Sequence, residues 1–165
     1  MRKSIDISIE HALEENHSKL TELAFEAKRH WAYPENYMEI WRDELTISRD
    51  HILNNLVFTA RNGEGIIGFY SITENIEDFY SGEVFVQKGF WLEHIFVKPE
   101  FHHWGIGTKL IDHALNLCSE KEIKRLLVFV DPFARGFYEK VGAQFLYDSK
   151  SSIPGRKIPV FIFQI

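Results

Sequence analysis

The stretch Trp91–Leu110, WLEHIFVKPEFHHWGIGTKL, joins an apolar run to a glycine-bearing loop and the start of a helical pattern. The apolar run, Trp91 to Val97, is rich in aromatic and branched residues and stops before Pro99, which cannot donate a hydrogen bond within a sheet. After the loop, apolar residues recur at helical spacing. The pattern predicts a strand, a short loop and a helix that begins at Gly105 and Gly107.

A helix start with glycines is a suitable binding site for an anion. The first amides of a helix have no acceptor inside the helix, and glycines let a phosphate approach them without meeting a Cβ atom. Two glycines at a turn are equally consistent with a tight connection. The choice between these two interpretations depends on the surrounding segments.

A second predicted strand-to-helix corner, DPFARGFYEKVGA, covers Asp131–Ala143. Together with LEHIFVKPEFHHWGIGTKLIDHAL, it resembles the GNAT acyltransferase superfamily, in which a strand ending V-x-P is followed by [Q/R]-x-x-G-x-[G/A] and a helix. The resemblance is specific over Leu56–Tyr147, and the segments AKRHWAYPENYM and SIPGRKIPVFIFQI extend it toward both ends. His102 stands where the family usually has Gln or Arg, and Asp131 stands where it frequently has Asn.

The composition is that of one globular domain, which we expect to cover residues 1–165. The chain is 45% hydrophobic, 26% charged and 15% aromatic, and this length suffices for a real core. The net charge is −5 and no Lys/Arg run occurs, so we expect neither a nucleic-acid partner nor a membrane partner. The basic start is not followed by an uninterrupted apolar stretch, which argues against a signal peptide and predicts a cytoplasmic protein.

Cys118 is the single cysteine of the chain, which rules out an internal disulfide. It lies on the apolar-rich helix that follows the glycine loop. No activating neighbour is visible from the sequence, so we expect a buried and inert thiol rather than a nucleophile.

The periodicity of the chain predicts a mixed α/β protein. A half-buried strand near Ile5–Ile9 precedes a helix from His11 to Trp31, a helical piece from Glu35 to Leu45 and a short capped helix through Asn54. The next two predicted strands, Leu56–Arg61 and Ile66–Ile72, are joined by a hairpin turn in which Asn62-Gly63 supplies positive φ angles. The remaining predicted strands are Glu83–Gln87, Trp91–Val97, Leu126–Val130, Gln144–Tyr147 and Ile158–Ile165. Whether Glu83–Gln87 is a separate strand or part of one long bent strand stays open at this point.

The GNAT resemblance implies a more definite fold. It implies a mixed, mostly antiparallel central sheet that is splayed between two parallel strands, namely the central strand and the one after it. Helices are expected on both faces of this sheet.

The resemblance also implies a site for coenzyme A. An extended amide-bearing chain such as pantetheine can satisfy unpaired backbone groups beside a splayed strand. Its pantetheine arm is expected on the backbone of Ile95, Phe96 and Val97, and Asp131, Phe133 and Arg135 are expected on the opposite lip. The loop expected at the pyrophosphate comprises His102, His103, Trp104, Gly105, Ile106, Gly107 and Thr108.

The reaction that the resemblance implies is transfer of an acetyl group from acetyl-CoA to a primary amine by direct attack. Tyr138 matches a tyrosine that many GNAT enzymes place near the thioester sulfur, and we expect it to protonate the leaving thiolate. The alternative for Tyr138 is ordinary helix packing. Glu93 is the candidate base, because an acid inside an apolar strand would have a pKa raised by burial. The alternative for Glu93 is an acid exposed at the rim of the sheet.

The early helices carry aromatic residues that suit an acceptor pocket. In the GNAT resemblance these helices cover the acceptor end of the cleft, and Trp31, Tyr33 and Tyr37 are the expected walls. Simple packing of these rings onto the sheet is the alternative. A metal site built from histidines is not expected, because no Cys or carboxylate joins them at a ligand spacing in the sequence.

Two functional classes stay open at the level of the sequence. The first is an N-acetyltransferase with a small-molecule or peptide amine as its acceptor. The second is a catalytically inactive module of the same fold that binds coenzyme A as a sensor or binds a partner. The apolar tail VFIFQI could also pair strand edges between two copies of the chain, which makes a homodimer possible.

Overall fold

The computed structural model describes residues 5–165, so the basic start used in the signal-peptide argument lies partly outside the described residues. No helix in this part of the chain is both long and apolar enough to cross a membrane. The helices are α1 (His17–Arg29), α2 (Glu35–Ile40), α3 (Arg42–Leu45), α4 (Arg49–Asn54), α5 (Ile106–Glu120) and α6 (Arg135–Lys140). The strands are β1 (Ser8–His11), β2 (Leu56–Asn62), β3 (Gly65–Asn75), β4 (Phe79–Ser81), β5 (Val84–Val86), β6 (Gly89–Val97), β7 (Arg125–Phe129), β8 (Gln144–Lys150) and β9 (Lys157–Gln164).

Seven strands form one sheet in the order β1-β2-β3-β6-β7-β9-β8, and β4 pairs with β5 in a separate hairpin. The β6–β7 pair is parallel, with Phe90 opposite Leu126 and Trp91 opposite Leu127. The pairs β1–β2, β7–β9 and β8–β9 are antiparallel. This confirms the predicted mixed and mostly antiparallel sheet, with its parallel pair at the central strand and the one after it.

The described chain divides into two compact units. The first comprises the residues up to Ser71 together with His94–Ala114, and the second comprises Ile72–Glu93 and Leu115–Ile165. In the first unit the fully buried side chains include those of Leu20, Leu23, Ile47, Ile67, Phe69, Tyr70, Ile106, Leu110 and Ile111. In the second unit a core of Trp91, Leu127, Val160 and Ile162 is joined by Val86, Phe129 and Tyr147.

The first elements begin later than the sequence pattern suggests. The burial of Ile5, Ile7 and Ile9 alternates as expected, but the strand itself starts at Ser8. Helix α1 starts at His17, because the Asn16 side chain accepts a hydrogen bond from the Leu13 amide (2.9 Å) and closes a 3₁₀ turn first.

The predicted helix from Glu35 to Leu45 is interrupted at one residue. Trp41 has φ −85° and ψ 0°, and this bend separates α2 from α3. The Trp41 side chain is buried at this bend, so core packing overrides the helical period. Ser48 caps α4 by accepting from the His51 amide (3.0 Å), which fulfils one of the expected caps.

The β2–β3 hairpin forms as predicted, but its turn chemistry differs from our expectation. Positive φ occurs at Gly65 (+123°) and not at Asn62 or Gly63. Asn62 ends β2, and its side-chain oxygen accepts from the Glu64 amide (2.8 Å). The turn is therefore closed by a side chain rather than by left-handed backbone at Asn62-Gly63.

The acidic segment after β3 folds into its own two-stranded ribbon. Phe79 pairs with Val86 and Ser81 with Val84 around a turn at Gly82, where φ is +62°. The question left open by the sequence is thereby answered, because β5 is a separate short strand rather than the beginning of β6.

Candidate active site

The glycine loop joins β6 to α5 within the first unit. His103 (φ +65°) and Gly105 (φ +79°) both adopt left-handed backbone, which turns the chain into the helix. The Lys109 amide donates to the Gly105 carbonyl (3.1 Å), so the helical hydrogen bonds start there. The amides of Ile106, Gly107 and Thr108 precede Lys109, the first donor of the helix, which leaves their N–H groups available to an anion.

The backbone at Gly105 leaves space for a ligand to approach the loop. A Cβ atom placed on Gly105 would meet nothing within 4 Å, so the loop is open on that side. The positive φ makes any other residue strained. This geometry is compatible with both interpretations of the glycines, a tight connection and an anion site.

The side chain of His102 ties this loop to the end of β6. Its Nε2 donates to the Val97 carbonyl (3.2 Å), because a carbonyl can only accept, and this bond ties the loop to the end of β6. Burial lowers the pKa of His102, and the nearby His30 and His103 lower it further, while the bond to Val97 opposes the shift. The imidazole is therefore held in its neutral form, unlike the arginine that the family can place here.

Gly68 on β3 is a residue that our sequence reasoning missed. A Cβ atom there would lie 3.0 Å from the Phe96 carbonyl oxygen and 3.3 Å from Leu110 Cδ1. The missing side chain lets the backbone of β6 and the first turns of α5 approach β3. An isolated glycine inside an apolar strand pattern is the signal that could have found it.

A carboxylate oxygen of Glu93 and ring nitrogens of His94 and His51 lie within 4.8 Å of one another. The expectation that no carboxylate joins the histidines is therefore wrong for this group of three. Glu93 is exposed, so the expected burial of this acid is wrong. His94 is buried, where its Nε2 donates to the Glu44 carbonyl (2.8 Å) and its Nδ1 accepts from the Ser71 hydroxyl (2.7 Å). Both ring nitrogens of His94 are thus used in structural hydrogen bonds.

The second strand-to-helix corner lies within the second unit, after β7. The Asp131 side chain accepts from the Phe133 amide (3.0 Å) and caps a 3₁₀ turn, Pro132–Ala134, that leads into α6. At the other end the Ala143 amide donates to the Tyr138 carbonyl (3.0 Å) and the Gly142 amide to the Glu139 carbonyl (3.2 Å). With Gly142 at φ +96°, these bonds form a Schellman motif that ends the helix where we expected.

Tyr138 is the only buried residue of α6. Burial, assisted by the negative charge of Asp131, raises the pKa of its hydroxyl far above the usual value near 10. The phenol is therefore fully protonated at any physiological pH. A protonated hydroxyl is the state that the proposed acid requires.

Arg135 and Phe133, the other residues expected on this lip, have different surroundings. The Arg135 guanidinium pairs with Glu139 (2.9 Å) and lies over the rings of Phe145 (5.3 Å) and Phe161 (5.2 Å). The guanidinium of Arg135 is thus packed against rings of the second unit. The Phe133 ring, in contrast, is exposed. The sequence did not indicate these partners of Arg135.

The expected acceptor residues lie within the first unit. Tyr33 and Tyr37 pack around Trp41, with ring centroids 4.9 Å and 5.6 Å from it. The Lys28 ammonium lies 4.4 Å from the centroid of the Trp41 ring. These rings form an aromatic cluster that holds a cation, Lys28, against its faces.

Trp31 has a neighbour that the sequence did not reveal. Its ring stacks on His102 with a centroid distance of 6.1 Å and an interplanar angle of 24°. His30 packs edge-on against the same imidazole at 4.9 Å. The C-terminal end of α1 thus supports the glycine loop through the side chain of His102.

Cys118 is fully buried on α5, and burial raises the pKa of its thiol to about 11. The thiol form therefore dominates at neutral pH. This confirms the prediction of a buried and inert cysteine.

The sequence matches the model of the acetyltransferase (GNAT) family over residues 11–143. The chain belongs to the GNAT family. A comparison of the sequence with curated proteins gave no match. The family assignment agrees with the resemblance carried by the two strand-to-helix corners.

Solved structures of GNAT proteins have the same fold. The PaiA N-acetyltransferase of Thermoplasma acidophilum, solved in complex with coenzyme A, is 21% identical, with a TM-score of 0.75 over 98% of this chain and 100% of that one. A GCN5-related N-acetyltransferase of Rhodopseudomonas palustris is 17% identical, with a TM-score of 0.76 over 100% and 98% of the two chains. The ribosomal-protein-S18-alanine N-acetyltransferase of Escherichia coli is 14% identical, with a TM-score of 0.68 over 97% and 94%.

Proposed function

We propose that this GNAT protein transfers an acetyl group from acetyl-CoA to a primary amine of a small molecule or peptide. The observation that carries the proposal is the loop at the start of α5, where Gly105 is left-handed and open on its Cβ side. Membership of the GNAT family and the coenzyme A held by the relative from Thermoplasma acidophilum support the same donor.

The residues of the loop fit a pyrophosphate. The amides of Ile106, Gly107 and Thr108 lie at the positive end of a helix of 15 residues. The backbone of Ile95, Phe96 and Val97 follows the two positions at which β6 pairs with β7, Phe90 and Trp91. We propose that pantetheine binds to this segment as an added strand would.

The chemistry that acetyl-CoA supplies when bound is an activated acetyl thioester. In a direct transfer, the amine nitrogen forms a bond to the acetyl carbon, the carbon–sulfur bond breaks, and the thiolate takes up a proton. We assign the donation of that proton to Tyr138, whose raised pKa keeps the hydroxyl protonated. A backbone N–H near Phe96 or Val97 is the proposed donor to the developing oxyanion.

The amine must itself lose a proton, since an unperturbed alkylamine has a pKa of about 10 and only its neutral form attacks. We keep Glu93 as the proposed acceptor of this proton, directly or through water. Its exposure leaves the carboxylate accessible to the amine or to a bridging water. Tyr33 and Tyr37, with Trp41, are the proposed wall for the acceptor, and Trp31 is proposed at its loop side.

The test is an acyl-transfer assay that follows the release of free thiol from acetyl-CoA with a panel of primary amines. Amine-dependent thiol release, with an acetylated product of the expected mass, would establish the reaction. Saturable binding of acetyl-CoA without transfer to any amine would instead favour the catalytically inactive coenzyme A-binding module. We propose the cytoplasm as the location, where acetyl-CoA is available, and no metal is required by the proposed chemistry.

A further inference from the structure

An open surface depression of about 500 Å³ lies in the second unit between the β4–β5 ribbon and β8. Aromatic rings form part of its lining. The Tyr80 ring is 70% exposed and lies 5.4 Å from Phe85, measured between ring centroids. The Tyr147 hydroxyl donates to Gln87 Oε1 (2.7 Å), which holds the third ring in place. Of the three rings, Tyr147 is therefore the one held by a side-chain hydrogen bond.

The charged side chains of the same lining are predominantly acidic. Glu83, Asp148 and Lys150 line the depression, which gives the lining a net charge of −1. Among residues 5–165, none of these three side chains forms an ion pair within 4 Å. Asp78 adds a further negative charge nearby, which together with burial raises the pKa of Tyr147.

Aromatic faces combined with carboxylates that lack a bound cation are the usual means of recognising organic ammonium groups. The volume lies within the range of about 300–1,000 Å³ that is typical of small-molecule sites. We propose that this depression binds a small organic ammonium ion, with its alkyl groups against Tyr80 and Phe85 and its charge near Glu83 and Asp148. The proposal does not depend on the acyl-transfer activity.

Lys150 should affect the affinity for a cation in the opposite direction to Glu83 and Asp148. Its ammonium repels a bound cation, and its removal changes the net charge of the lining from −1 to −2. A charge-based site therefore predicts that substitutions at Lys150 and at the two acids change affinity in opposite directions. A site that bound ligands by apolar contact alone would not show this sign reversal.

The probe is choline, which carries a quaternary ammonium with no N–H group and cannot be an acetyl acceptor through nitrogen. Its matched control is 3,3-dimethyl-1-butanol, which has the same shape and no charge. Amide chemical shifts of the full chain are followed by NMR during titration of each compound at low salt. We expect saturable shifts at residues 79–86 and 147–150 with choline, and at least fivefold weaker binding of the neutral alcohol.

Three variants test the assignment of the lining. The double variant E83Q/D148N should weaken choline binding by about tenfold, on the basis of about threefold for each exposed carboxylate. Lys150→Gln should strengthen it by about two- to threefold for the same reason. Tyr80→Ala should weaken binding, whereas Tyr80→Phe should preserve it, because the ring face carries the cation contact.

The site is overturned if choline produces no shifts at these residues up to 100 mM, about the weakest affinity worth calling a site. Equal binding of choline and its neutral analogue would also exclude ammonium recognition. A thermal melt of each variant checks its folding, and because these side chains are largely exposed we expect the melting temperatures to stay within a few degrees.

Discussion

Tyr138 is the residue on which the proposed proton donation depends. Because its hydroxyl is buried and its pKa is raised, we expect Tyr138→Phe to lower kcat by about 100-fold or more, the usual effect of losing a general acid. Binding of acetyl-CoA should change by less than about threefold, since one hydroxyl contributes little to a ligand of that size. Steady-state kinetics and a separate binding titration measure the two effects.

A second readout distinguishes acid catalysis from packing. If the rate of the chemical step in Tyr138→Phe stays at the wild-type value with both substrates saturating, Tyr138 is a packing residue and the acid must be sought elsewhere. Below pH 10, ionisation of Tyr138 should not lower the wild-type rate, because the pKa of its hydroxyl lies higher.

His102 should make the stability of the protein depend on pH. Its pKa in the folded state lies below the value of 6.5 that applies to an exposed histidine. Well above pH 6.5 the ring is neutral in both the folded and the unfolded chain. As the pH falls below about 6.5, the unfolded chain takes up a proton first, so the free energy of unfolding decreases. We expect His102→Gln, which keeps a donor for the Val97 carbonyl, to lose less stability than wild type between pH 7.5 and pH 5.

Urea unfolding at several pH values measures this difference. The comparison with the variant isolates His102, because the other titrating groups are common to both proteins. Parallel stability curves for the two proteins across this range would show that the histidine is not held in its neutral form.

Single residues were predictable where the local pattern specified them. Cys118 was predicted correctly as a buried thiol from the apolar helix around it, and the cap at Asp131 and the helix end at Gly142 are likewise specified by residues close in sequence. The partners of Arg135 and Trp31 were not predictable, since Phe161 and His102 are distant in sequence. For Glu93 the sequence left burial and exposure open, because an acid inside an apolar strand fits either, and the structure shows exposure.

Helix ends are the first feature at the element scale that allows a test. Helix α5 ends in a Schellman motif with Glu122 at φ +59°, where the Ile123 amide donates to the Cys118 carbonyl (2.8 Å). A left-handed non-glycine residue costs about 1 kcal/mol, so we expect Glu122→Gly to stabilise the protein by about 0.5–1 kcal/mol. Chemical denaturation measures the change.

Helix α6 supplies the matched control for this substitution. Gly142 occupies the same position of its own Schellman motif, with φ +96° and nothing within 4 Å of a Cβ atom. Gly142→Ala should therefore destabilise by about 1 kcal/mol through backbone strain alone. If both substitutions shift stability in the same direction, left-handed strain does not govern these two helix ends.

The contact between β3 and β6 depends on a glycine in the middle of a strand. We expect Gly68→Ala to destabilise by about 1–3 kcal/mol, because its Cβ would lie 3.0 Å from the Phe96 carbonyl oxygen and backbone cannot move aside easily. Gly63→Ala in the β2–β3 turn is the control, since it has nothing within 4 Å and no positive φ. Its effect should stay within about 0.5 kcal/mol.

Elements were predictable in kind more than in their bounds. Strands β6, β7 and β9 and helix α5 are long apolar or periodic segments, and they occur within two residues of the predicted positions. The break at Trp41 was missed because burial of that indole, a tertiary effect, overrides the helical period. Strand β4 was missed because its three residues are all exposed, without the alternation that marks a half-buried strand.

At the scale of the whole molecule, the strand order could not be obtained from the residues alone. Neighbours in the sheet such as β3 and β6, or β7 and β9, are separated by intervening elements, so no local pattern records their pairing. The family resemblance supplied the parallel pair of β6 and β7. The acceptor amine stays a proposal for a related reason, because the fold and the glycine loop concern the donor.

Donor binding should be visible in the stability of the entire chain. A ligand at 100 times its dissociation constant adds about 2.7 kcal/mol to the free energy of unfolding. We therefore expect acetyl-CoA to raise the melting temperature in a saturable manner.

Two variants test where the donor binds. His102→Gln should show at least as large a rise in melting temperature, since Gln is a usual residue of the family at this place. Gly105→Val should abolish the rise, because it places a branched side chain in the open space beside the amides. The comparison uses the ligand-induced shift rather than the melting temperature itself, because the positive φ of Gly105 makes the valine variant less stable by about 1–2 kcal/mol even without ligand. An equal shift in the folded Gly105→Val variant would place the phosphates elsewhere, and no shift in the wild-type protein up to millimolar acetyl-CoA would count against the donor site as a whole.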